Sequence, residues 1–102
     1  MPRALTHINV EGSVAREEMK VFKLRIFKRD VGRRIFIRTS SADDVDLYIE
    51  MDSPPSVESY LQRTGTTSGS DLIVYRATHP GTLYIGVHGS RPGQFVLRTA
   101  DE

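Results

Sequence analysis

Asp43, Asp44 and Asp46 sit on one bend and form the densest group of metal-competent oxygens in the chain. Calcium takes roughly six to eight oxygen ligands, so three carboxylates helped by loop carbonyls, or by Glu11, Glu17 or Glu18, can furnish part of a site. The same residues also suit a structural task, with Asp43 or Asp44 capping the turn and Asp46 bonding backbone in a neighbouring loop. A second group mixes cations with aromatics: Lys23, Arg25, Arg34 and Arg38 share a strand parity with Phe27 and Phe36. Such a face can hold nucleic acid, an acidic protein or an anionic glycan. Outward Lys and Arg are equally what an ordinary solvated antiparallel sheet carries. The tyrosines Tyr48, Tyr60, Tyr75 and Tyr84 are the third group, and exposed tyrosines supply the flat amphipathic area common on recognition surfaces, although they also pack over strand backbones without any such role.

Catalytic patterns are not found. No serine lies in a Gly-x-Ser-x-Gly elbow, and His7, His79 and His88 lack HExxH spacing. His79 and His88 fall in or beside turns and read as surface residues. The chain has no cysteine, which removes disulfides, thiolate zinc sites and cysteine nucleophiles and leaves stability to the core. The reading is of a protein that is not an enzyme.

The elements that must position these residues are strands. At 102 residues, with 38% hydrophobic and 26% charged residues, the chain has the size and composition of one soluble globular domain spanning residues 1–102. Phe22, Leu24 and Ile26 alternate with Lys23 and Arg25, and Ile35 and Ile37 alternate with Arg34 and Arg38 across the turn Arg29 to Gly32. Period-2 alternation on both sides of a turn predicts a half-buried hairpin. Further strands are predicted over Asp46 to Met51, Asp71 to Arg76, Thr82 to His88 and Gln94 to Thr99, with weaker ones over His7 to Val10 and Ser59 to Gln62. Gly, Pro, Asp and Ser clusters separate them. Ala15 to Lys20 is the one place where a helical turn is expected. Seven or eight short strands at regular spacing indicate an all-β antiparallel sandwich of jelly-roll type. On this parity Leu47, Ile49, Leu83, Ile85 and Val87 face inward and Tyr48 and Tyr84 face out.

Four segments in order carry a family resemblance: Glu18-Met19-Lys20-Val21-Phe22-Lys23-Leu24, Asp43-Asp44-Val45-Asp46-Leu47-Tyr48-Ile49, Gly81-Thr82-Leu83-Tyr84-Ile85-Gly86-Val87-His88-Gly89 and Gly93-Gln94-Phe95-Val96-Leu97. Together they resemble the bacterial pre-peptidase C-terminal domain over about Gly12 to Thr99. That family is a jelly-roll sandwich, usually appended to secreted peptidases and similar to the collagen-binding domains of clostridial collagenases. The resemblance implies an accessory module tethered to a larger protein. It also implies calcium as the cofactor to look for, since some members bind it through acids near the first strands, and it points to sheet-face aromatics as ligand contacts. The basic first hairpin departs from the family pattern.

Charge sharpens where a partner would sit. Through Arg38 there are ten Lys/Arg against four acids, a balance of +6; beyond it four arginines meet nine acids, a balance of −5. A basic partner site therefore belongs to the first half. The expected function is a binding module that contacts a macromolecule through a sheet face, with Lys23, Arg25, Phe36, Arg38, Tyr48 and Tyr84 as contact residues; Asp43, Asp44 and Asp46 are the candidate ligands for calcium, with the structural task the favoured reading and no cofactor required. The alternative is an interaction domain of an intracellular assembly that docks through its basic first hairpin. The expected partner is a protein or other macromolecule, collagen-like or a glycan in an extracellular setting, rather than nucleic acid. No apolar stretch has the length of a signal peptide or a membrane span, so a soluble chain is expected.

Overall fold

The computed structural model describes residues 8–41, 43, 45–64 and 70–101. Among the described residues there are eight strands: β1 (Asn9–Val14), β2 (Met19–Ile26), β3 (Arg34–Ser40), β4 (Val45–Met51), β5 (Gln62–Thr64), β6 (Ser70–Arg76), β7 (Gly81–Gly89) and β8 (Gly93–Asp101). Sheet A has the order β1-β8-β3-β6 and sheet B the order β2-β7-β4-β5, with every pairing antiparallel. The partners β1·β8, β2·β7, β3·β6 and β4·β5 are nested, as when one long antiparallel ribbon is folded over itself. This is the jelly-roll sandwich expected from the strand spacing.

The inward residues are those the alternation selects. Leu24 and Ile26 of β2, Ile35 and Ile37 of β3, Leu47 and Ile49 of β4, and Leu83, Ile85 and Val87 of β7 are buried in one apolar cluster with Phe95 and Leu97 of β8. Phe22, half-buried at the margin, meets the Phe95 ring edge-on at 6.1 Å. Such offset geometry suits two ring quadrupoles better than a face-to-face stack.

One expectation fails. β2 and β3 are not a hairpin: β2 pairs with β7, from Met19 opposite His88 to Ile26 opposite Gly81, while β3 lies between β8 and β6 in the other sheet. The chain between them turns a corner through a short 3-10 segment, Lys28–Asp30. The buried Asp30 carboxylate accepts the Phe27 amide at 2.9 Å, the Asp30 amide donates back to the Phe27 carbonyl at 2.8 Å, and Arg33 lies 3.9 Å from the carboxylate. Gly32 then takes φ +92°, a left-handed conformation open to glycine, and donates to the Ala77 carbonyl at 2.7 Å. The Asp and Gly that mark a tight reversal serve equally well to carry a strand from one sheet to the other.

Smaller differences have local causes. Ala15 to Lys20 holds a tight turn rather than a helical one, closed by the Glu18 amide on the Ala15 carbonyl at 3.1 Å with Glu17 at φ 65°. β1 runs later than predicted, His7 lies outside the described residues, and β5 begins at Gln62 because Ser59 is taken up in a bridge with Ser56.

Two stability measurements follow from this packing. Asp30→Ala should lower the free energy of unfolding by about 1–3 kcal/mol in urea denaturation, because it strands the Phe27 amide at the corner; an unchanged midpoint would show that the corner does not depend on this carboxylate. Ile37→Ala, in the middle of the core, should cost about 2–5 kcal/mol, and a loss under 1 kcal/mol would mean that the inner faces are loosely packed.

Candidate functional site

The six residues expected to form one contact surface are divided between the two outer faces. Lys23 and Arg25 of β2, Tyr48 of β4 and Tyr84 of β7 lie on sheet B; Phe36 and Arg38 of β3 lie on sheet A. The division follows directly from the absence of a β2–β3 hairpin, and the basic first half of the chain presents no single docking face.

Sheet B covers much of its own outer surface. Gly86 of β7 points outward and has no side chain; a Cβ there would come within 2.5 Å of the Met19 sulfur and 2.9 Å of Pro55 Cγ, so its absence lets both lie against the strand. The connection from β4 to β5 folds over the same place, with Pro55 buried and the Tyr60 ring set edge-on to Tyr48 at 5.3 Å. Tyr48 is therefore on the outward parity but only 4% exposed, which corrects the expectation of a free tyrosine. Burial pushes its phenol above the usual tyrosine value, against the opposing charge and hydrogen bond of Arg63, whose guanidinium stands 5.5 Å from the ring centre. Lys23 lies over the Tyr84 ring at 5.6 Å, and Arg25 and Arg29 flank Phe27 at 5.8 and 4.7 Å. The cations of this side are occupied with its own aromatics.

His88, read from sequence as a surface residue, is buried beside Tyr48. Its Nε2 lies 3.6 Å from Glu17 and its Nδ1 4.0 Å from Asp46, whose carboxylate accepts the Ser90 hydroxyl at 2.9 Å. Ser, His and Asp thus meet, but the hydroxyl is bonded to the carboxylate. The wiring ties the turn after β7 to β4 and does not prepare a nucleophile, which would need its hydroxyl on the imidazole. His79, in contrast, sits at the surface, 3.4 Å from Asp52.

The acidic bend is spread over different partners. Asp43 accepts the Gln94 amide at 3.1 Å and its own amide meets the Ser41 hydroxyl at 2.9 Å, which pins the β3–β4 connection to the start of β8. Asp46 serves Ser90 and lies beside His88, a side-chain partner where a backbone one was expected. Asp44 lies outside the described residues. Among the described residues no three His, Asp or Glu side chains form a group that could hold a metal ion.

Sheet A is different. Its outer face carries a row running Ala100, Phe36, Val74 across β8, β3 and β6, beside a second row running Asn9, Arg98, Arg38, Leu72 across β1, β8, β3 and β6. Leu72 is 44% exposed and Val74 40%. A shallow depression of about 380 Å³ is lined by Phe36, Arg38, Ser40, Val96, Arg98 and Ala100. The sequence reading found Phe36 and Arg38 but missed Arg98, Leu72 and Val74. A signal existed for the last two, since Leu72-Ile73-Val74-Tyr75 is apolar on both parities. Arg98 had none, because only the register of β8 against β3 brings it to Arg38.

No family model matches the chain, and no curated protein matches it. Several solved structures share its fold, among them the following two. Aeromonas hydrophila PliG, a periplasmic lysozyme inhibitor of g-type lysozyme, superposes with a TM-score of 0.73 at 12% identity, covering 96% of this chain and 88% of the inhibitor. The pre-peptidase C-terminal domain of collagenase from Bacillus anthracis superposes with a TM-score of 0.61 at 13% identity, covering 91% of this chain and 88% of that domain. The resemblance carried by the DVDLYI and GTLYIGVHG segments holds at the level of the fold: this chain has the sandwich architecture of a pre-peptidase C-terminal domain and of a lysozyme inhibitor.

Proposed function

We propose that this chain is a non-catalytic binding module that engages a protein partner through the outer face of sheet A. The observation that carries the reading is the contrast between the two outer faces. Sheet B roofs its central tyrosine with its own β4–β5 connection, which with β2 leaves Val21, Val57, Tyr60 and Leu61 exposed but apart from a strand row, whereas sheet A sets Leu72 and Val74 exposed on one strand beside Phe36, with arginines alongside. Apolar and aromatic side chains in the middle with arginine beside them are the composition of interface centres, and isolated sheets have no reason of stability to expose such a row.

The neighbours support a binding role on this fold. One is an inhibitor whose stated target is another protein, and the other is a domain of a collagenase. The periplasmic setting of the inhibitor supports an extracytoplasmic setting for this chain.

Immobilised protein should be titrated with g-type lysozyme, fibrillar collagen, heparin and single-stranded DNA by biolayer interferometry. Saturable binding to a protein is expected, weakened about tenfold or more by Leu72→Ser combined with Val74→Ser and left intact by Lys23→Ser combined with Tyr84→Ala. Binding that is lost with the Lys23 and Tyr84 pair and kept without Leu72 and Val74 would place the contact on sheet B and overturn the reading.

A further inference from the structure

Arg38 and Arg98 are direct cross-strand partners on β3 and β8, and both are exposed. Facing side chains in an antiparallel pair have Cβ atoms about 5 Å apart, and like charges so placed repel. An opposite charge in such a row would be stabilising instead. Here the row continues to Asn9 on one side and Leu72 on the other, and among the described residues neither guanidinium has an ion pair. Arg98 donates Nε to the Asn9 amide oxygen at 3.3 Å, a neutral acceptor that orients the guanidinium without cancelling its charge. Arg38 is exposed and carries five N–H donors, with no hydrogen-bond partner among the described residues. Lys23, Arg25 and Arg63 on sheet B, and Arg34 against Phe36 on sheet A, are each set against an aromatic ring, which Arg38 and Arg98 are not among the described residues.

From this we infer that Arg38 and Arg98 form a carboxylate clamp, and that the partner of sheet A presents an acidic side chain flanked by apolar ones. The inference rests on the sheet A reading above and names the chemistry of its occupant. Two guanidinium groups on facing strands can each donate to one oxygen of the same carboxylate, and charge-assisted bonds of that kind are both stronger and more directional than neutral ones. The apolar neighbours decide between polyanions. Phe36, Val96 and Ala100 line the same depression, and Leu72 lies next to Arg38 in the row. An extended acidic–apolar peptide can fill these positions with alternate side chains, whereas a phosphate backbone would leave them without a partner and would require a longer track of cations.

Fluorescence anisotropy on the full chain tests this with a capped, labelled hexapeptide alternating glutamate with leucine, its glutamine counterpart, and an oligothymidylate of similar length. The glutamate peptide should bind, with affinity falling as salt rises, and should bind at least about tenfold more tightly than the glutamine peptide. Arg38→Gln and Arg98→Gln should each weaken it about tenfold or more. Because each change also removes a like-charge contact, the thermal midpoint of either variant without peptide should rise by about 1–5 °C. Unchanged affinity in both arginine variants, equal binding of the glutamine peptide, tighter binding of the oligothymidylate, or midpoints lowered by several degrees would each overturn the clamp. Leu72→Ser with Val74→Ser separates the two readings. If it loosens the peptide while the arginine changes do not, the face stands and the clamp falls; if neither matters, both fall.

Discussion

The nested antiparallel pairing of the strands is the constraint from which the rest of the molecule follows. Apart from β4 and β5, which pair with each other, each strand finds its partners at a distance in sequence, and consecutive strands lie in different sheets. That alternation is what places β2 on one outer face and β3 on the other, and it makes the corner at Asp30 a structural necessity. The buried carboxylate there satisfies an amide that neither sheet can reach.

With both inner faces filled by aliphatic side chains, the two outer faces are free to differ, and they do. Sheet B has used that freedom to build a second, smaller layer: Met19, Pro55 and Tyr60 over Gly86 and Tyr48, with His88, Asp46 and Glu17 as a polar margin. Sheet A has no such covering among the described residues. The same architecture thus yields one self-covered side and one side whose apolar and cationic groups remain available, which is why the fold can host binding roles that have nothing in common beyond the sandwich.

How much of this was legible in the sequence depended on the range of the interaction. Alternation is local, so the inward set Leu24, Ile26, Ile35, Ile37, Leu83, Ile85 and Val87 and a sandwich of seven or eight strands could be read directly. The turn Arg29 to Gly32 could be read as a reversal, but its chemistry is the same whether the flanking strands pair or part. Tyr48 was assigned to the correct face and the wrong environment, because its burial depends on the connection containing Pro54 and Pro55 that folds back to set Tyr60 against it. The charge split pointed to the first half of the chain and found Arg38; the second arginine of the pair comes from the acidic half, and no composition argument reaches it.

The ribbon also sets the order in which its contacts become affordable. Closing β4·β5 encloses a short loop, from Ile49 to Gln62, while closing β1·β8 spans nearly the whole chain, from Asn9 to Arg98. The entropy lost on closure grows with the span, but each inner pair, once formed, shortens the effective loop left for the next. Arg38 and Arg98 come together only where β8 docks on β3. A chain in which that pairing has not formed does not display the paired guanidinium groups at all.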